Sequence, residues 1–239
     1  MATSGTYTFN LDTGEIIQEA YERCGVETKS GYDLKTARRS LNLLLTKWVN
    51  DGVNLFTLDL ETFNMTKDQG FITMDSTVRL DILDAAIRDN SDTDATSDII
   101  IERISMDEYL AIPSKLNTGK PVQYSVERNS QFASSGSNTH KVYLWPVPDQ
   151  TYYQLLSWSI KYPQDVSATY TQNPDIPRRY LPALISGLAV ELANKRPAEV
   201  DINRRQELKA YYEQDWEKAR EEDRERVSFY VQPKVRGYA

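Results

Sequence analysis

At 239 residues the chain is long enough for one large domain or two small ones, and a 40% hydrophobic content is sufficient for a packed core. A formal net charge of −7 excludes broad wrapping of nucleic acid or of an anionic membrane, since both partners require clustered Lys and Arg. The single cysteine, Cys24, excludes an intrachain disulfide and a cysteine-based zinc site.

Along the chain, Met1 to Asn10 lacks the basic start and apolar stretch of a secretory signal, and no run approaches the roughly 20 apolar residues that span a bilayer. A soluble, intracellular protein is expected. Asp12 with Glu15 forms a capping-box pair that opens a first helix, on which Ile16, Ile17, Ala20, Tyr21 and Cys24 share one face before Gly25 stops it. Cys24 reads as a small apolar filler near the helix end. A second helix is predicted after Asp33, because Leu34, Ala37, Leu41, Leu44, Leu45 and Trp48 recur at steps of three and four until Gly52. The two read as an antiparallel hairpin. Lys35, Arg38, Arg39 and Lys47 lie on the second helix's other face, either as solvated charges or as a binding patch.

From Asn54 the period changes to two. Phe56, Leu58 and Leu60 alternate with Thr57, Asp59 and Glu61, and Val78, Leu80 and Ile82 with Arg79 and Asp81, predicting strands with one wet face. Asp89 to Asp98 (DNSDTDATSD) carries Asp89, Asp92, Asp94 and Asp98 and reads as an exposed loop; calcium is the alternative, but the run has neither the glycine nor the closing Glu of an EF-hand loop. Ser105 and Glu108 form a second capping-box pair, opening a short helix that ends before Pro113. A turn at Asn117, Gly119 and Pro121 leads into a strand on which Val122, Tyr124 and Val126 alternate. A loop of Ser and Asn follows, and then KVYLWP and YYQLLSWSIKY, joined by a turn at Pro146, Pro148 and Asp149, read as a hairpin.

After Pro163 a polar segment leads to Asp175, where the helical period returns with Tyr180, Leu181, Leu184, Ile185, Leu188, Ala189, Leu192 and Ala193. Pro177 and Pro182 fit near its first turns, and Pro197 ends it. A last helix after Asp201 places Leu208, Tyr211, Tyr212, Trp216 and Ala219 inward, and its later part, EKAREEDRER, shows no apolar stripe. The closing VSFYVQPKVRGYA is apolar and aromatic enough to need a cover, whether a partner or the chain's own β region. The fold class expected is α+β. An N-terminal helical hairpin (1–53) and a C-terminal helix pair (171–226) form a helical bundle, a mainly antiparallel β domain (54–170, with a short helix near 105–112) is inserted, and an extended arm covers 227–239.

Signs of catalysis are sparse. His140 is the sole histidine and reads as a solvated loop residue, so triads and multi-histidine metal sites lack their parts within one chain. No phosphate loop of the GxxxxGK[ST] type and no GxGxxG motif after a strand is present. Carboxylates are too numerous for any one pair to stand out as a glycosidase site. No enzyme activity, metal or cofactor is expected. Tyr152, Tyr153 and Trp158 supply the alternative of a single-stranded nucleic-acid-binding module, in which bases stack on rings of the β domain.

The order of elements carries a resemblance. Gly119 to Tyr124 (GKPVQY), Tyr143 to Gln150 (YLWPVPDQ) and Asp175 to Ala193 (opening DIPRRYLPALI), supported by the hairpin from Asp12 to Gly52, resemble the head-to-tail adaptor family of short-tailed bacteriophages, which includes tail tubular protein A and packaged-DNA stabilisation protein. The resemblance implies a non-enzymatic subunit of a ring, usually dodecameric, between the capsid portal protein and a tail nozzle protein of the tubular B type. The setting it implies is the head–tail junction of the virion, reached after synthesis in the host cytoplasm, with genomic DNA passing through the lumen without specific binding. It also implies that the C-terminal arm docks on the portal through Arg226, Phe229, Tyr230, Val231, Gln232, Pro233, Lys234, Arg236 and Tyr238. Asp89, Asp92, Asp94 and Asp98 would then meet the tail side or a neighbouring copy. The β region is larger than in shorter members of the family. With no long hydrophobic seam, the free chain is expected to be a monomer that becomes a ring on the portal.

Overall fold

The computed structural model describes residues 5–6, 9–27, 30–52, 57–91, 97–128 and 139–222. The chain is α+β and divides into two compact units: Met1–Leu44 with Val166–Ala239, and Leu45–Asp165.

In the first unit, helix α1 (Thr13–Cys24) starts at the expected capping box: Asp12 Oδ1 accepts from Glu15 N at 2.8 Å and Glu15 Oε2 accepts from Asp12 N at 2.9 Å. The two amides between them, Thr13 N and Gly14 N, donate to the carbonyls of Gln172 and Tyr170 at 3.0 and 2.8 Å. Every free donor of that first turn therefore has an acceptor. Asp12→Ala is expected to cost about 1 kcal/mol, since it strips one of these bonds and the carboxylate at the positive helix end; chemical denaturation of the full chain checks it. Gly25 ends the helix at φ 72°, a left-handed conformation that glycine adopts without a Cβ penalty.

Helix α2 (Gly31–Asn50) begins three residues earlier than predicted, with Ala37, Leu41, Leu44, Leu45 and Trp48 buried as expected. A 3₁₀ turn (Arg178–Tyr180) leads into α4 (Leu181–Lys195), which has Pro182 in its first turn; α5 (Ile202–Glu222) follows. α4 packs against both α1 and α5 and has ten buried positions, which is why its sequence is apolar nearly all round. On α5, Leu208 and Ala219 are buried, so a buried position persists into the charged half; Tyr211, predicted inward, is 54% exposed. Tyr212 and Trp216, also predicted inward, are half-buried: Tyr212 lies over Gly187 of α4 and stacks on Trp216 at 6.4 Å.

The second unit is built on a seven-stranded sheet. Its strands are β1 (Leu58–Asn64), β2 (Phe71–Asp75), β3 (Arg79–Asp89), β4 (Ser97–Arg103), β6 (Gln123–Glu127), β7 (Thr139–Trp145) and β9 (Tyr153–Lys161), in the order β1-β9-β3-β4-β6-β7-β2. All neighbours are antiparallel except β4 and β6; the short strands β5 (Thr118–Gly119) and β8 (Val147–Pro148) form a separate parallel pair. Helix α3 (Met106–Ala111) carries the predicted Ser105–Glu108 capping box. Met74 of β2 and Leu155 of β9 share one core cluster with Ile82, Ile87, Ile101, Tyr124, Val142 and Leu144. Five strand steps would separate β9 from β2 by about 24 Å in a flat sheet, so the sheet curls around this core.

Four sequence expectations are corrected in this unit. KVYLWP and YYQLLSWSIKY do not form a hairpin: β7 pairs with β6 and β2, β9 with β1 and β3. Between them Val147–Pro148 aligns with Thr118–Gly119, and Val147 N donates to the Asn117 carbonyl at 2.8 Å, which leads the chain away from its own preceding strand. The alternation in β1 is opposite in sense: Leu60 is 57% exposed, whereas Glu61 is held between Arg79 and Lys161 and Phe63 packs on the core. His140 is a strand residue, 7% exposed, with its ring Nε2 3.0 Å from the Arg79 carbonyl. Finally, β3 and β4 extend into the acidic stretch, so that Asp89 and Asp98 belong to strands.

Candidate assembly surfaces

Asp89 and Asp98 are committed to ion pairs. Asp98 receives a forked pair of bonds from Arg88, directly across the β3–β4 ladder, at 2.8 and 2.7 Å. Asp89 accepts from the Ser91 amide at 3.0 Å and from Lys120 Nζ at 3.1 Å. These bonds hold both carboxyls below their ordinary range, through Arg88 for Asp98, and through Ser91 and then Lys120 for Asp89. The first pair joins β3 to β4, and the second ties the end of β3 to Lys120, just after β5. Asp92 and Asp94 lie outside the described residues, as do Arg226, Phe229, Tyr230, Val231, Gln232, Pro233, Lys234, Arg236 and Tyr238. Among the described residues no group of three or more His, Cys, Asp or Glu side chains is placed to hold a metal ion.

The three aromatics of the nucleic-acid alternative do not share a surface. Tyr153 is 6% exposed and belongs to the core cluster, with Lys120 over its ring at 5.7 Å. Tyr152 and Trp158 are partly exposed but six residues apart on an extended chain, about 20 Å. The register places Leu60 and Asp84, not a cation, beside Trp158. A stacking platform needs neighbouring exposed rings beside positive charge; these two rings stand far apart, and an aliphatic and an acidic residue flank Trp158.

Two other surfaces, both in the helical unit, are more pronounced. Between α1 and the start of α4 runs a groove of about 560 Å³, floored by Leu11, Leu181, Pro182 and Ile185 and edged by Glu15, Glu19 and Glu22. Phe9, at its mouth, is 69% exposed. The second surface is the outer stripe of α2, where Tyr32 is 75% and Leu43 57% exposed, with Lys35 and Arg39 between them. The sequence pointed to the cations of this stripe; the groove went unrecognised because its walls come from segments more than 150 positions apart. Beyond the helix-capping pattern, an apolar Phe9 just ahead of a helix with acids at positions 15, 19 and 22 was the available signal.

The profile of the SU10 adaptor protein family matches residues 12–236, which takes in both units. The chain belongs to the SU10 adaptor protein family. Among curated proteins nothing matches it. Membership bears out the head-to-tail adaptor resemblance and identifies a structural phage protein, with a virion location and head and tail proteins as the class of partner. The family role is non-enzymatic. Among the described residues no helix is long and apolar enough to cross a membrane.

Proposed function

We propose that this SU10-family adaptor is the subunit of a ring, dodecameric in keeping with its resemblance, that sits between the capsid portal and the tail nozzle and extends the DNA channel. What carries the reading is the family match across residues 12–236. In this reading the hairpin of residues 1–53 and the helices of 171–226 form one bundle that packs side by side around the ring, and the inserted β domain, 54–170, faces the tail nozzle. The stretch Asp89 to Asp98 meets the nozzle or a neighbouring copy. The net charge of −7 supports a lumen through which DNA slides, because like charge suppresses the phosphate contacts behind non-specific binding.

The closing stretch from Val227 is the portal-docking peptide of this proposal. Phe229, Tyr230, Val231 and Tyr238 supply apolar anchors, and Arg226, Lys234 and Arg236 the charged ones. Deleting residues 227–239 is expected to abolish co-sedimentation with purified portal protein while the subunit keeps its circular dichroism and unfolding midpoint. Normal attachment of the truncated chain would overturn the docking role.

A further inference from the structure

The α2 stripe is a convex ridge carrying cations, and the α1–α4 groove is a concave surface edged by carboxylates. Tyr32, Lys35, Arg39 and Leu43 recur at i, i+3, i+7 and i+11, so they form one ridge along α2, about 17 Å long. Its ends are apolar and exposed, and its middle is cationic. Neither Lys35 nor Arg39 reaches a carboxylate among the described residues, and positive charge is crowded here: burial and then the Arg39 charge push the nearby Lys195 ammonium below its ordinary range. Lys195 is itself turned to Ser40 Oγ, at 2.5 Å, and to the Thr36 carbonyl.

The groove has the opposite character. Its floor is apolar, and its α1 edge carries Glu15 and Glu22, neither of which bonds a Lys or Arg among the described residues: Glu15 accepts from the Asp12 amide and Glu22 from Gln18 Nε2. Two arginines also line it, Arg23, tied to Glu19 at 3.0 Å, and Arg178. No α2 residue contributes to the groove. Ridge and groove are therefore separate patches of one unit, and a contact between them is heterologous, the kind that repeats from copy to copy and closes into a ring when its rotation permits.

We propose that the α2 ridge of one copy of this chain seats in the α1–α4 groove of the next, with Tyr32 and Leu43 on the apolar floor and Lys35 and Arg39 against Glu15 and Glu22. The inference rests on the ring reading above and supplies its subunit interface.

The test is charge reversal on each side, with the full chain followed by sedimentation velocity alone and bound to purified portal. Lys35→Glu with Arg39→Glu reverses the ridge. Gln18→Lys with Glu22→Lys reverses the groove edge and leaves the capping box intact. Each pair is expected to weaken subunit association at least about tenfold, since like charges are then opposed, and the chain carrying all four changes is expected to regain assembly. Circular dichroism confirms folding of each variant. A second measurement is independent of charge: mixing Leu43→Cys and Gln18→Cys chains under oxidation is expected to yield a linked dimer that neither variant forms alone. If both reversed chains assemble like the unaltered protein, or no mixed dimer forms while rings do, the interface is wrong and the ring stands. A chain that stays monomeric both free and on the portal overturns ring and interface together. Loss of portal binding from the ridge variant, with association between copies unchanged, assigns the ridge to the portal and overturns the proposal.

Discussion

Gly187→Leu is expected to destabilise the helical unit by about 3 kcal/mol, the upper range for forcing atoms into a filled core. A Cβ at this position would lie 2.8 Å from Tyr212 Cε2 and 2.9 Å from Leu44 Cδ2, so α4 is held against side chains of both α5 and α2 by the absence of a side chain. Neither neighbour yields easily. Leu44 is 2% exposed, and Tyr212 stacks on Trp216, whose ring in turn lies 6.2 Å from that of Tyr180. Ser186, next in the chain, ties the same helices through a 3.0 Å bond to Asp215. Alanine separates the two effects at work, because replacing a mid-helix glycine by alanine gains about 1 kcal/mol of helix propensity. Gly187→Ala is expected to fall between the wild type and Gly187→Leu, with propensity partly offsetting the clash. Guanidinium unfolding followed by tryptophan fluorescence ranks the three; an alanine variant more stable than wild type by the full propensity gain would mean that the helices have room to separate.

Helix limits were legible because their signals are local. Asp12 with Glu15, Ser105 with Glu108, Gly25, Pro182 and the apolar spacing of α4 act within one or two turns, and each appears where its chemistry requires. The sheet was less legible because pairing depends on partners far along the chain. The leucines of β1 alternate with acids, so the pattern by itself places Leu60 inward. Arg79 and Lys161, 18 and 100 positions further on, compensate Glu61 and reverse the choice. His140 was misplaced for the same reason: its chain neighbours are polar, but β2 and the Arg79 carbonyl enclose it. Of the assembly surfaces, the α2 cations could be read from the helical period alone, since one helix carries them all. The α1–α4 groove could not, because its walls come from both ends of the chain.

The ion cluster that reverses β1 yields the other large effect. Glu61, whose side chain is 14% exposed, accepts two bonds from Arg79 and one from Lys161, and Lys161 also binds Asp59. Glu61→Gln keeps the shape but leaves two partly buried cations short of a counter-charge, and about 2–3 kcal/mol of stability is expected to be lost at neutral pH; the cost of breaking a fully buried pair would be larger. Burial alone would raise the Glu61 carboxyl, but the bonds and charges of Arg79 and Lys161 outweigh it and hold the group below its ordinary value of 4.5. A depressed carboxylate stabilises the fold fully above its unfolded value and loses that contribution as pH falls through the lower, folded one. The gap between wild type and Glu61→Gln is therefore expected to be widest near neutrality and to narrow below pH 4.5, because the protonated wild type then resembles the amide. On the alkaline side the sign reverses for Lys161. Its bond to Asp59 leads in holding the ammonium above 10.5, so its contribution is complete below that value and fades as pH rises through the folded one. Urea midpoints of both chains across pH 3 to 8 check the acid limb, and a gap that does not change with pH would show that the variant acts through packing rather than through the charge on Glu61.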